Sequence, residues 1–122
     1  MNTPHITVFG IPNCDTVKKA RAWLDAAGLP YSFHDFKKHG VPPDLLAQWT
    51  ATAGWEKLLN RKGTTWRTLD AATQAGVTDA ASAQAVMQAH ASVVKRPVVQ
   101  WSADSSDITV GFDAEAWTQR FV

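Results

Sequence analysis

Cysteine is almost missing from this chain: Cys14 stands alone among 122 residues. No internal disulfide can form, and a cysteine-rich zinc site cannot be built. Such usage suits a reducing compartment, so a cytoplasmic location is expected. Long apolar runs are lacking as well, and none approaches the ~20 residues of a membrane span. The opening Met1-Asn2-Thr3-Pro4-His5 has neither the charged start nor the long apolar stretch of a secretory leader, and no leader is expected. Nor is there an excess of charge. Twelve Lys and Arg face eleven Asp and Glu, a net +1 with neutral histidines, which argues against direct nucleic-acid binding through a broad basic face. What remains is globular: 45% hydrophobic and 19% charged residues exclude a disordered or collagenous chain. One domain spanning residues 1–122 is expected at this length, with a core that needs neither metal nor disulfide.

The pattern changes period along the chain. His5 to Gly10 (HITVFG) is β-branched and aromatic, and Ile11-Pro12-Asn13 breaks it. After Cys14, Val17, Ala20, Leu24 and Ala27 recur at helical spacing until Gly28. Tyr31 to Phe36 (YSFHDF) alternates as a second strand. Strand, helix and strand make a βαβ unit, whose strands should run parallel with a right-handed crossover. Between Gly40 and Ala91 no strand is evident. Pro42-Pro43-Asp44 can open a helix carrying Leu45, Leu46 and Trp49, and Gly54 interrupts it before Trp55, Leu58 and Leu59. Thr65 is expected to cap a helix over Trp66 to Ala75, and Thr78 or Asp79 another over Ala80 to Ala91. Val98 to Trp101 and Ile108 to Gly111 flank the polar cluster Ala103-Asp104-Ser105-Ser106 as a hairpin. Asp113 then caps a closing helix with Trp117 and Phe121 one turn apart. The six tryptophans fall at helix or strand spacing and are expected mostly in the core.

Most familiar chemistry is excluded by spacing. His5, His34, His39 and His90 form no HExxH, and no metal site is expected. There is no GxSxG and no GxGxxG. Lys62-Gly63-Thr64 lacks the earlier glycine and preceding strand of a phosphate loop. The C-x5-R spacing of tyrosine phosphatases fails by one residue, because Ala20 fills the sixth place and Arg21 the seventh. Cys14 is left. A free cysteine is ordinarily a small buried hydrophobe, but this one opens a helix, where unpaired N–H groups and the positive dipole end favour a thiolate. Asp15 opposes that by like charge. Arg96-Pro97 enters a strand, where proline removes one ladder hydrogen bond and a cis bond would be a constrained feature. Finally, Trp55 to Leu69 carries a local net +3, and Arg61 in its Asn60–Thr64 loop is a candidate anion binder, with a solvated face as the bland alternative.

Three blocks, GIPNCDTVKKARAWLDAAGLPY (Gly10 to Tyr31), LLNRKGTTWRTLD (Leu58 to Asp70) and VVKRPVV (Val93 to Val99), together resemble the arsenate reductase (ArsC)/Spx family, and most closely its YffB-like branch. The resemblance covers nearly the whole chain. It implies an α/β, thioredoxin-like fold with a small mixed four-stranded sheet. The core would comprise about residues 4–38 and 93–122, with a helical insertion, about 40–92, between its βαβ and ββα halves. It also implies roles: Cys14 as nucleophile, Arg61 and Arg96 as oxyanion-binding arginines, and Pro97 as a cis-proline facing the cysteine. Asn13 would donate a hydrogen bond near the sulfur. The implied activity is a glutathione-dependent monothiol reductase acting on a small oxyanion or disulfide, with no tightly bound cofactor. A second cysteine three residues after the first, as in the redox-sensing regulators, is replaced by Val17, so an external thiol must resolve the adduct. The third anion-site arginine of arsenate reductases is also missing, because the chain reads Val110-Gly111-Phe112-Asp113 there. Two other readings stay open: an Spx-like adaptor that binds RNA polymerase, and a non-catalytic anion-binding protein.

Overall fold

A computed structural model describes residues 5–121. The elements run β1 (Ile6–Gly10), α1 (Asp15–Ala26), β2 (Tyr31–Asp35), α2 (Phe36–His39), α3 (Pro43–Ala53), α4 (Trp55–Leu58), α5 (Thr64–Thr68), α6 (Ala71–Ala75), α7 (Ala80–Ala89), a 3-10 turn (Ala91–Val93), β3 (Val98–Gln100), β4 (Ile108–Val110) and α8 (Ala114–Arg120). The sheet order is β2-β1-β3-β4. β1 and β2 are parallel, as the βαβ pattern requires, while β3 pairs antiparallel with β1 and with β4. This is the thioredoxin-like arrangement, with six short helices and a 3-10 turn between β2 and β3.

Strand alternation sends apolar side chains to both faces of the sheet. Ile6 and Val8 of β1 and Val99 of β3 meet Ala20 and Leu24 of α1 and Trp117 of α8. Trp117 is ringed edge-on by Trp101, Trp23 and Phe112, with centroids 4.9, 5.4 and 4.8 Å away. On the other face Phe9 and Val98 join Phe36, Trp49, Leu58, Ala83 and Met87 from the helical segment. That segment therefore supplies half of the core. Trp49, Trp101 and Trp117 are buried, and Trp23, Trp55 and Trp66 are half-buried.

Several element boundaries differ from expectation. Ala27 is exposed and lies past the end of α1. Phe36 leaves the strand to begin α2, whose first turn is capped by the Asp35 carboxylate accepting from Lys37 N–H. The helix expected over Trp66 to Ala75 is two helices, and Thr65 lies inside the first of them. Extended backbone at Leu69 and Asp70 breaks the run, and Asp70 accepts from Thr73 N–H at 2.7 Å to cap the second. Asp79 caps α7 in a reciprocal box with Ser82. Leu59 forms an isolated antiparallel bridge with Val94. Asn60 N–H donates to Val93 C=O and Lys95 N–H to Leu58 C=O on either side of it.

Candidate active site

The loop Ile11–Cys14 joins β1 to α1 and is held by a close approach beneath it. A Cβ on Gly10 would lie 2.9 Å from Val17 Cγ2, so glycine lets the strand end sit against the first helical turn. Cys14 occupies the N-cap of α1 in extended conformation, with φ −143° and ψ 121°. Its C=O accepts from Lys18 N–H at 2.9 Å, which starts the helical ladder. A sulfhydryl is a weak acceptor, and the side chain makes no cap hydrogen bond of its own. The first turn thus offers donors whose gain comes when the sulfur ionises.

Cys14 is half-buried, and burial pushes its thiol up. Against this act the N–H of Val17, the Arg96 side chain both as donor and as positive charge, and the N–H of Thr16. The balance lies below the ordinary cysteine value, so the thiolate is favoured. Asp15 is exposed and is not among the groups acting on the sulfur.

Arg96 is held by main-chain carbonyls. Its Nη1 donates to Ser92 C=O at 2.7 Å and to Val94 C=O at 3.3 Å, while its buried Nε has no partner among the described residues. The guanidinium is therefore fixed in place with donor capacity to spare. The Arg96–Pro97 peptide bond is cis, Pro97 is buried, and its C=O accepts from Gly111 N–H at 2.8 Å.

Sequence reasoning singled out Asn13, Cys14, Arg61, Arg96 and Pro97. Arg96 acts on Cys14, and Pro97 follows it directly. Asn13 is exposed beside the cysteine, and its side chain makes no hydrogen bond among the described residues. Arg61 is not among the groups that act on the thiol. Its guanidinium lies over the rings of Trp55 and Trp66, 5.1 and 6.0 Å from their centroids. There it lines a cleft of about 520 Å³ with Asn60, Lys62 and Lys95. Sequence reading did not find the Ser92 and Val94 carbonyls that hold Arg96, since a main-chain acceptor leaves no residue signature. No group of three or more His, Cys, Asp or Glu able to hold a metal occurs among the described residues. No helix there is long and apolar enough to cross a membrane.

The difference between the two arginines yields a first prediction. Alkylation of Cys14 followed against pH should have its midpoint below that of a free cysteine, about 8.5. Arg96→Gln is expected to move the midpoint up and to slow alkylation at pH 7 several-fold, because the nearby charge and donor are lost. Arg61→Gln is expected to leave it unchanged.

Comparison with known proteins extends over nearly the full length. A sequence model of the ArsC family matches residues 9–120. An uncharacterized protein of Haemophilus influenzae (strain Rd) is 34% identical over 116 residues, spanning 95% of this chain and 98% of that one. The solved structure of a YffB protein is 41% identical, covers 96% of this chain and 99% of its own, and superposes with a TM-score of 0.88. An arsenate reductase (ArsC) related protein from Brucella melitensis is 42% identical, over 99% and 98% of the two chains, with a TM-score of 0.74.

Proposed function

This chain belongs to the ArsC family, and on that premise we propose that it is a monothiol reductase working through the Cys14 thiolate with glutathione as external thiol. One observation carries the reading: Cys14 opens a helix beside a fixed, charged guanidinium, and its thiol is shifted toward ionisation. A cytoplasmic setting would supply the thiol pool.

The reaction follows from the residues. With a disulfide substrate, the Cys14 thiolate attacks one sulfur, and a new S–S bond forms as the old one breaks. The displaced sulfur leaves as a thiolate and takes a proton from water. When the attacked sulfur is glutathione's, a second glutathione thiolate attacks that adduct, returns Cys14 as thiolate and departs as oxidised glutathione. Two electrons have then passed from glutathione to the substrate. With an oxyanion, the Cys14 thiolate displaces one oxygen, which takes protons from solvent and leaves as water. One glutathione thiolate then attacks the Cys14 sulfur and releases the reduced oxyanion, and a second returns Cys14 as thiolate and departs as oxidised glutathione. No second cysteine of this chain can resolve the adduct.

Arg96 is assigned to the reacting group, since it borders the sulfur and retains an unpartnered N–H. Asn13 is assigned to the same end. Arg61, over the rings of Trp55 and Trp66, is assigned to the anionic remainder of the substrate.

Mass spectrometry tests the proposal directly. Oxidised glutathione should load one glutathionyl group on Cys14, and reduced glutathione should release it with recovery of the free thiol. Loading that requires denaturant, or an adduct that glutathione leaves in place, would end the reading.

A further inference from the structure

Beyond the thiol chemistry, and independent of it, the far edge of the sheet has the makings of a binding site. β4 ends the order β2-β1-β3-β4, so one of its sides faces no strand. Gly111 N–H donates to Pro97 C=O and Trp101 N–H to Asp107 C=O, which fixes the phase of the β3–β4 ladder. Residues 107, 109 and 111 therefore address β3. Ile108 and Val110 turn their N–H and C=O groups outward, two donors and two acceptors about 6.8 Å apart along the strand. None of the four has a hydrogen-bond partner among the described residues.

This edge opens into a cleft of about 510 Å³. Every residue from Ile108 to Phe112 lines it, as happens when a cavity lies beyond a strand's edge and not over one face. The end of α3 (Thr52, Ala53) makes one wall, and the start of α8 another. Lys57 and Lys95 stand in the cleft, and both also line the neighbouring cleft of Arg61 and Lys62. Lys95 lies against the end of the strand: a Cβ on Gly111 would be 3.6 Å from its Cε. Neither lysine is in an ion pair, since the pair Arg120–Asp107 is the only one among the described residues. Two carboxylates border the clefts, Glu56 and Asp113, and the Asp113 oxygen is engaged as the cap of α8, accepting from Ala116 N–H at 3.1 Å.

We propose that the open edge of β4, in the cleft lined by Lys57 and Lys95, binds an extended acidic segment of a partner protein as a fifth strand. The unpartnered main-chain groups supply the pairing, and alternate acidic side chains of the incoming strand meet the two lysines. An uncharged or basic segment would gain the pairing without the charge.

The test uses a capped heptapeptide alternating glutamate with valine, titrated into the whole protein. Amide exchange at Ile108 and Val110, read by NMR, should slow at least about tenfold at saturation. The double variant Lys57→Gln/Lys95→Gln should bind about tenfold more weakly. Replacing every peptide glutamate with lysine, or N-methylating the peptide's pairing edge, should abolish protection. Unchanged exchange at both amides would overturn the proposal, as would equal protection by the lysine peptide. So would protection that rises with protein concentration alone, because the edge would then be filled by a second copy of this chain.

Discussion

Cys14→Ser is expected to reduce thiol-dependent turnover by on the order of 10³-fold or more while leaving the fold intact. A serine hydroxyl does not ionise at neutral pH and forms no disulfide, so neither the attack nor the adduct survives. The protein should still fold, because Cys14 caps α1 through its backbone and not through its sulfur. Circular dichroism of the variant checks the second half. Stability across pH provides a separate readout. The native thiol ionises below its unfolded value, so the unfolded chain binds the proton more tightly between the two pKa values. The resulting stabilisation is complete above the unfolded value, near 8.5, and is lost as pH falls through the native one. Denaturant melts of the wild type should show this rise with pH, and those of Cys14→Ser should lack it. Equal slopes would mean that the thiol is not perturbed by the fold.

The largest loss of stability is expected from Trp49→Ala, about 3–5 kcal/mol. Trp49 is 0% exposed and meets Phe9 of the sheet edge-on, at 4.8 Å between centroids, and Phe36 at 6.3 Å. It is thus a main contact through which α3 docks on the sheet, beside Leu46, and alanine would leave a cavity at that junction. Its indole Nε1 is buried and has no partner among the described residues. Trp49→Phe would remove that orphan donor together with part of the ring, so its loss should be clearly smaller than alanine's. Chemical denaturation of the two variants measures how much of the loss the aromatic ring accounts for. Equal losses would mean that the six-membered ring shared by tryptophan and phenylalanine does not carry the packing.

Local patterns carried much of this architecture. HITVFG, the Val17–Ala20–Leu24 spacing and the polar cluster before Ile108 each correspond to an observed element, because strand alternation, helix period and turn chemistry act over a few residues. Asp113 was legible as a cap for the same reason, and Asp79 as one of two candidates with Thr78. The break at Leu69-Asp70 was not, since Trp66 to Ala75 contains neither glycine nor proline and Asp70 acts as a cap only once the chain turns there. The site divides similarly. Cys14 was marked by its place at a helix start, a local property. Which arginine would reach it was not local: Arg96 is aimed by carbonyls of the preceding turn, and Arg61 is drawn to two rings that the sequence alone does not bring together.

The bridge between Leu59 and Val94 acts as a clasp at the neck of a long excursion. Its flanking bonds join Asn60 to Val93 and Lys95 to Leu58, so residues 61–92 form one loop closed at its neck, with Ala83 and Met87 packed back into the core. Closing such a loop costs only about 0.6 kcal/mol more for each doubling of its length. The excursion can therefore lengthen in its exposed connections at little thermodynamic expense. Arg96, two residues beyond the clasp, would keep its approach to the sulfur through such changes, which makes this part of the chain a natural place to graft a new surface onto an unchanged thiol centre.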